Sequence, residues 1–360
     1  MTHTGSLRMY GRSWPASSAF DTIYGRNLVA ELRHFVHRPY LVVTMSDLWD
    51  KFRACFDENM AGVCLVQTLD HHALRKQVDE LPTCNSVIGL GGGQALDVAK
   101  YVAWSRRLPL FQVPTAMSVD AAFGHRIAVR VDGQVRYIGW AVPEAVYVDL
   151  DVIRGAPPLL NRSGIGDVLC YHTAWVDWKL AHERGKGEPQ WPYDQRLVDE
   201  ARQVLHTVMS RLDEIHDVSD EGVRTLMEAL RWGGAAYHNA GWNGRHIEGV
   251  EHFYAYALEY LTGRKFVHGQ LVCLGVYIGS VMQDNQPEEI LAAIHHVGVD
   301  IRPEAMGITW DDVASTLYRL SSFVKDAGLW YTVANETPIT STLIAHVRNR
   351  IESTFGPWAG

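Results

Sequence analysis

At 360 residues the chain exceeds the roughly 250–300 at which single cores tend to split, so two domains are expected. A composition of 47% apolar and 21% charged residues is that of an ordinary globular protein, and a net charge of −8 argues against a general nucleic-acid binder while leaving room for a local anion pocket. Cys55, Cys64, Cys84, Cys170 and Cys273 form no CxxC pair, the opening MTHTGSLRMYGRSW lacks an apolar signal core, and the longest apolar run, residues 271–282, is too short to span a bilayer; a reducing, cytoplasmic location is expected.

In chain order, PYLVVTM (39–45) and GVCLVQT (62–68) are β-rich runs, the second preceding a helical stretch over 71–81. The apolar run 86–88 leads into GLGGGQALDVAK (89–100), a strand, glycine turn and helix, and 108–113 is a further strand. This alternation predicts a parallel sheet with helices on its faces and ligands at the carboxyl ends of its strands. RIAVRV and QVRYIG (126–139) flank Asp132-Gly133 as a hairpin, and 145–150 is the last strand of this half. Beyond Ala156-Pro157-Pro158, segments 165–183, 195–215, 219–238, 248–261, 269–283, 287–297, 309–327 and 337–354 carry apolar residues at helical spacing. Helix starts are marked by Pro287 before two glutamates, Thr309 before Asp312, and Thr337 before Pro338. The expected architecture is an α/β dinucleotide-binding domain over residues 1–158, with a parallel sheet and helices, and an all-α metal- and substrate-binding domain over 159–360.

Four stretches carry candidate chemistry. Gly91, Gly92 and Gly93 let backbone approach a bulky anion, and the following helix start offers unpaired N–H groups to a pyrophosphate; the alternative is a tight turn without a ligand. Asp97 and Lys100 form an i, i+3 pair, a pattern most often found on a solvated face. Asp167 stands after two glycines at a helix start, where an aspartate ordinarily stabilises the helix. With His252 and His268, on two other predicted helices, it would make a two-histidine, one-carboxylate set with open positions, the pattern of a catalytic divalent site. Asp120, in PTAMSVDAAFGHR (114–126), follows a strand end and is either a turn residue or part of the same cleft.

The ordered set GLGGGQALDVAK, PTAMSVD, GIGD with YHTAWVDWKLA, and EH with HGQ resembles the iron-containing alcohol dehydrogenase and dehydroquinate synthase-like superfamily. Within it the nearest look is to the sn-glycerol-1-phosphate dehydrogenases, from about residue 20 to 350. The resemblance implies a dehydroquinate synthase-like fold and an NAD- or NADP-linked dehydrogenase interconverting a small polyol or polyol phosphate and its ketone. It implies cofactor contacts at Gly91, Gly92, Gly93, Asp97, Lys100, Thr115 and Ser118, and substrate contact at Asp120. It implies a divalent metal, zinc ahead of iron, on Asp167, His252 and His268. A metal on the substrate oxygen stabilises an alkoxide whose collapse delivers hydride to the nicotinamide; His172 or Asp120 is the candidate proton relay. Homo-oligomerisation is implied in the same way, with a small-molecule substrate as the partner.

The chain departs from this pattern in GWNGRHIEGVEH (241–252), where the branch shows small residues and serine, and in Tyr256, where a second histidine is usual. Arg126, Arg245, His246, Arg264 and Lys265 are candidates to meet a phosphate, against a default of solvated surface charge. Ser46 and Asp47 are candidates for the adenosine ribose. Two alternatives are weighed: a carbocycle-forming lyase that uses NAD transiently, disfavoured because DAAFGHR (120–126) stands where those cyclases show a lysine-bearing DSSVGGK, and a non-catalytic cofactor-binding sensor, disfavoured by the intact metal set.

Overall fold

The computed structural model describes residues 20–358; the opening segment from which the absence of a signal core is inferred lies outside them. The chain divides into two compact units, one made of the chain to Asn161 together with Leu230–Trp242, the other of Arg162–Ala229 and Asn243–Gly360.

Among the described residues the first unit holds eight strands: β1 (Asp21–Gly25), β2 (Tyr40–Thr44), β3 (Met60–Leu65), β4 (Ser86–Gly91), β5 (Leu110–Pro114), β6 (Arg126–Val131), β7 (Gln134–Trp140) and β8 (Ala145–Asp149). Its helices are α1 (Leu28–Glu31), α2 (Ser46–Phe52), α3 (His71–Asp79), α4 (Gly93–Arg106), α5 (Leu150–Arg154) and most of α6 (Pro158–Ser163). Six strands pair in parallel in the order β1-β8-β5-β4-β2-β3. Alternation along the strands builds the two faces: Leu41, Val43 and Val87 pack with α4 residues Ala95, Val98 and Ala99, whereas Tyr40, Val42, Ile88 and Leu90 pack with Val29, Leu32 and Phe111. The chain passes from β3 back across β2 to β4, so the strand order reverses between β2 and β4. That reversal opens a crevice at the carboxyl ends of these two strands, where open α/β sheets receive ligands.

Strand β1 was not expected from the sequence: DTIYG is short, half exposed and paired on one side only, so it carries no continuous apolar run. The hairpin β6–β7 forms around Asp132 and Gly133, both at positive φ (51° and 76°), as a two-residue primed turn requires.

The second unit is helical: α7 (Gly166–Glu183), α8 (Gln195–Met209), α9 (Leu212–His216), α10 (Asp220–Asn239, whose end from Leu230 belongs to the first unit), α11 (Val250–Thr262), α12 (His268–Gln283), α13 (Pro287–Val297), α14 (Trp310–Asp326) and α15 (Ser341–Phe355). Thr309 and Asp312 form the expected capping box, and Pro287 opens α13. The single helix expected over 195–215 breaks at Ser210-Arg211, and the last helix starts at Thr340, whose hydroxyl accepts the Leu343 N–H, not at Thr337. Helix α12, HGQLVCLGVYIGSVMQ, is buried along nearly its whole length and packs against both α7 and α11.

Candidate metal centre and cofactor cradle

The glycine turn of the first unit lies at the carboxyl end of β4, at the strand-order reversal. Gly91 takes φ 155°, and a Cβ there would stand 2.7 Å from that of Ala95, so only glycine lets the strand turn into α4 this tightly. A Cβ on Gly92 would meet nothing nearer than Ser118 Oγ at 3.9 Å, and the Thr115 N–H donates to the Gly91 carbonyl at 3.0 Å. Gly91, Gly92, Gly93, Thr115 and Ser118 are therefore gathered around the N-terminus of α4, whose first N–H groups lack intrahelical acceptors.

Asp97 and Lys100 stand differently from a solvated pair. Lys100 is 2% exposed, and its ammonium donates to the carbonyls of Gly124 and Arg126 and to Asp97 Oδ1, each at 2.8 Å. Asp97 Oδ1 also accepts the Ala128 N–H at 3.3 Å. Burial pushes the Asp97 carboxyl upward, and the Lys100 ammonium opposes that shift. With its three protons engaged, Lys100 fastens the backbone of 124–126 to α4. Asp120 begins the short turn ahead of that segment, its backbone carbonyl accepting the N–H groups of Phe123 and Gly124.

In the second unit Asp167, His252 and His268 come together from α7, α11 and α12. Their ligand atoms all lie within 4.8 Å of one another. His268 Nε2 is 3.3 Å and His252 Nε2 3.8 Å from Asp167 Oδ1, and the two imidazole rings are 5.4 Å apart. Glycines allow this convergence. A Cβ on Gly166 would stand 2.3 Å from the Gly269 carbonyl oxygen, so the start of α7 rests on the start of α12 backbone to backbone. A Cβ on Gly275 would stand 2.3 Å from the Glu251 carbonyl oxygen, which brings α11 equally close to α12.

Burial alone would raise the Asp167 carboxyl, but the adjacent His268 and His252 hold it below the usual carboxylate range. Burial would likewise depress both imidazoles, and Asp167 with the surrounding carboxylates raises them above the ordinary histidine value instead. The site is thus a concentrated negative potential that attracts positive charge. One carboxylate oxygen and two imidazole nitrogens suit a divalent cation and leave coordination positions for a substrate. Asp167 and His252 are buried whereas the His268 side chain is 34% exposed, so the group is reached from the His268 side.

His172, on α7, lies apart from this group: its Nε2 meets the Asn285 carbonyl at 2.8 Å, and burial lowers its basicity. Arg245 is 1% exposed and donates to the carbonyls of Tyr331 (2.9 Å) and Asp177 (3.3 Å), with Glu188 3.4 Å away; it is a structural cation and not a surface charge awaiting phosphate. His246 is also buried, its pKa pushed down to about 3 by burial. Arg264 donates to the Gly307 carbonyl and Arg126 to that of Tyr137. Tyr256, at the position of the usual second histidine, donates to Glu248 Oε1 at 2.7 Å. Sequence reasoning passed over Glu251, although it stands directly before His252: its Oε1 lies 3.0 Å from His252 Nδ1.

Comparison with known proteins bears on these features. Residues 48–157 match the family model described as iron-containing alcohol dehydrogenase. The glycerol-1-phosphate dehydrogenase [NAD(P)+] of Thermofilum pendens is 30% identical over 321 residues, covering 84% of this chain and 91% of that protein. The chain belongs to the glycerol-1-phosphate dehydrogenase family of the iron-containing alcohol dehydrogenases. The enzyme of the same name from Sulfurisphaera tokodaii is 32% identical over 75% of this chain and 77% of its own. Among solved structures, a probable glycerol dehydrogenase from Sinorhizobium meliloti 1021 superposes with TM-score 0.72 at 19% identity, covering 92% of this chain and 96% of that one. A sulfoacetaldehyde reductase from Bifidobacterium kashiwanohense, solved with NAD+, gives 0.63 at 16% identity, covering 96% and 100%. These structures share the fold, the dehydroquinate synthase-like arrangement of a six-stranded parallel sheet followed by a helical region.

Proposed function

We propose that this chain is a metal-dependent, NAD(P)-linked dehydrogenase that interconverts sn-glycerol 1-phosphate and dihydroxyacetone phosphate, working in the cytoplasm as a homo-oligomer. The observation that carries the reading is the convergence of Asp167, His252 and His268 from three helices, with donor types and spacing that fit a divalent cation. Relatives at 30–32% identity are named glycerol-1-phosphate dehydrogenase [NAD(P)+], which supports a dehydrogenase and leaves the carbocycle-forming alternative unfavoured.

The residues divide the work. Gly91, Gly92 and Gly93, with the N-terminus of α4, receive the dinucleotide pyrophosphate, and Thr115 and Ser118 line its path. Asp97 and Lys100 serve the cofactor by fixing the 124–126 backbone. Asp167, His252 and His268 hold the cation, zinc or iron, which when bound supplies Lewis acidity to the substrate oxygen. The bound nicotinamide supplies the hydride acceptor, so that polyol and NAD(P)+ give ketone, NAD(P)H and a proton. Asp120 is the remaining candidate for substrate contact and proton exchange, since the His172 ring is engaged by the Asn285 carbonyl.

The test is reduced-nicotinamide absorbance with Zn2+- or Fe2+-loaded protein, both dinucleotides, and dihydroxyacetone phosphate beside dihydroxyacetone. Oxidation of the reduced cofactor with the phosphate ester, abolished in Asp167→Ala, is expected. Turnover of dihydroxyacetone alone would overturn the phosphate assignment and keep the dehydrogenase.

A further inference from the structure

We propose that Glu251 is a positioning residue for the metal: it fixes the ring orientation and tautomer of His252, with Thr173 and Gly249 fixing Glu251 in turn. The inference rests on reading Asp167, His252 and His268 as a metal centre.

Glu251 is wholly buried, where a lone carboxylate is costly unless its oxygens are matched by donors. Here both oxygens are matched. Oε2 accepts the Thr173 hydroxyl from α7 at 2.6 Å; Oε1 accepts the Gly249 N–H at 2.6 Å and faces His252 Nδ1 at 3.0 Å. Space as well as bonding is arranged around it. A Cβ on Gly249 would stand 3.2 Å from Glu251 Oε2 and 2.7 Å from Asp177 Oδ2, so the backbone passes between two carboxylates where no side chain fits.

The consequence falls on His252. A carboxylate at Nδ1 selects the tautomer with the proton on that nitrogen, leaving the lone pair on Nε2, the atom that faces Asp167. It also stops the ring rotating about its Cβ bond and makes Nε2 a more basic ligand. Cys170, Glu251 and His252 also lie close enough to be taken for a ligand set of their own. That reading is weaker, because both Glu251 oxygens are committed and the Cys170 thiol is within 2.9 Å of the Ile247 carbonyl and 3.3 Å of that of Asp167. The group is the support behind the centre.

The experiment measures Zn2+ affinity of the full-length protein by competition with a chromogenic chelator, alongside the unfolding midpoint of each metal-free variant. Glu251→Ala is expected to weaken Zn2+ binding about 10–100-fold. Glu251→Gln, which keeps an acceptor for Nδ1–H without the charge, loses less, and Thr173→Val moves affinity in the same direction without altering any group that touches His252. Wild-type affinity in folded Glu251→Ala overturns the inference; where that variant does not fold, wild-type affinity in both Glu251→Gln and Thr173→Val overturns it equally. Failure of the wild-type protein to bind Zn2+ brings down the metal-centre reading itself and this inference with it, a result distinct from tight binding that the variants leave unchanged.

Discussion

Charged residues whose sequence pattern suggests a solvated face are buried in this chain, and burial decides their role. Asp97 and Lys100 have the spacing of a surface pair yet lie inside the first unit, while Arg245, one of the cations weighed for a phosphate, is locked among carbonyls and Glu188. Spacing records which side chains share a helix face and is silent on whether water reaches that face, so neither outcome was legible. Asp167, His252 and His268 could be grouped as a candidate metal set only by donor type and by the family resemblance, since an aspartate at a helix start and a single histidine each have ordinary structural roles; Glu251 was not legible, since a glutamate beside a histidine reads as ordinary helix polarity. Lys100→Met makes the burial argument testable. It leaves Asp97 without its cation and the Gly124 and Arg126 carbonyls without their donor, and removing one partner of a buried pair costs about 3–5 kcal/mol. The sign of its pH dependence follows from linkage. Asp97, its carboxyl already raised by burial, rises further without Lys100, so the native variant keeps a proton that the unfolded chain releases. The deficit against wild type is therefore smallest near about pH 4, the ordinary carboxylate range, and grows toward neutrality. Urea unfolding of both proteins across that interval measures it, and a deficit that shrinks as pH rises would contradict the assignment.

At the scale of elements, the helices and central strands follow from period, and what escaped was whatever depends on a neighbour. Strands β2, β4, β5 and β8 are buried apolar runs, readable from composition alone. The edge strand β1 exists because β8 offers it a parallel ladder, which the residues of DTIYG do not announce. Close helix packing is similar: Gly166 and Gly275 read as weak points in helices, whereas in the fold they are the places where α7 and α11 touch α12. Replacing either with alanine gains about 1 kcal/mol of helix propensity and inserts a methyl 2.3 Å from a carbonyl oxygen of the facing helix. Overpacking of this kind costs about 1–3 kcal/mol or more, and no flexible side chain is present at the contact to yield. Gly275→Ala is accordingly expected to destabilise the protein and, by moving α11 from α12, to weaken Zn2+ binding. Gly263→Ala is the control, since a Cβ there meets nothing within 4 Å. Its cost, set by a positive φ of 65° alone, should appear in the unfolding midpoint without a change in metal affinity.

The whole molecule is two compact units, and the candidate ligand sites divide between them. The change in pattern after Ala156-Pro157-Pro158 shows where sheet gives way to helices, but the return of Leu230–Trp242 to the first unit leaves no mark, because the 3.6-residue period of α10 runs on unbroken through Leu230. All three metal-ligand candidates belong to the second unit, and the glycine turn belongs to the first. A ligand that binds only the native form stabilises it by mass action, about 2.7 kcal/mol at a hundredfold excess over Kd. For a unit of roughly 150–250 residues this corresponds to a midpoint shift of roughly 5–10 °C. Chelation is therefore expected to lower the unfolding midpoint and to raise amide exchange in α7, α11 and α12, leaving β2, β4 and β5 protected. Saturating NAD(P)+ should reduce exchange in the turn around Gly91–Gly93 with or without metal. Hydrogen exchange followed by peptide mass separates the two effects. Uniform deprotection of sheet and helices on metal removal would mean that the cation is bound elsewhere or that the units unfold as one, and the Asp167→Ala variant distinguishes these: its exchange pattern should match that of the chelated wild type and no longer respond to added Zn2+.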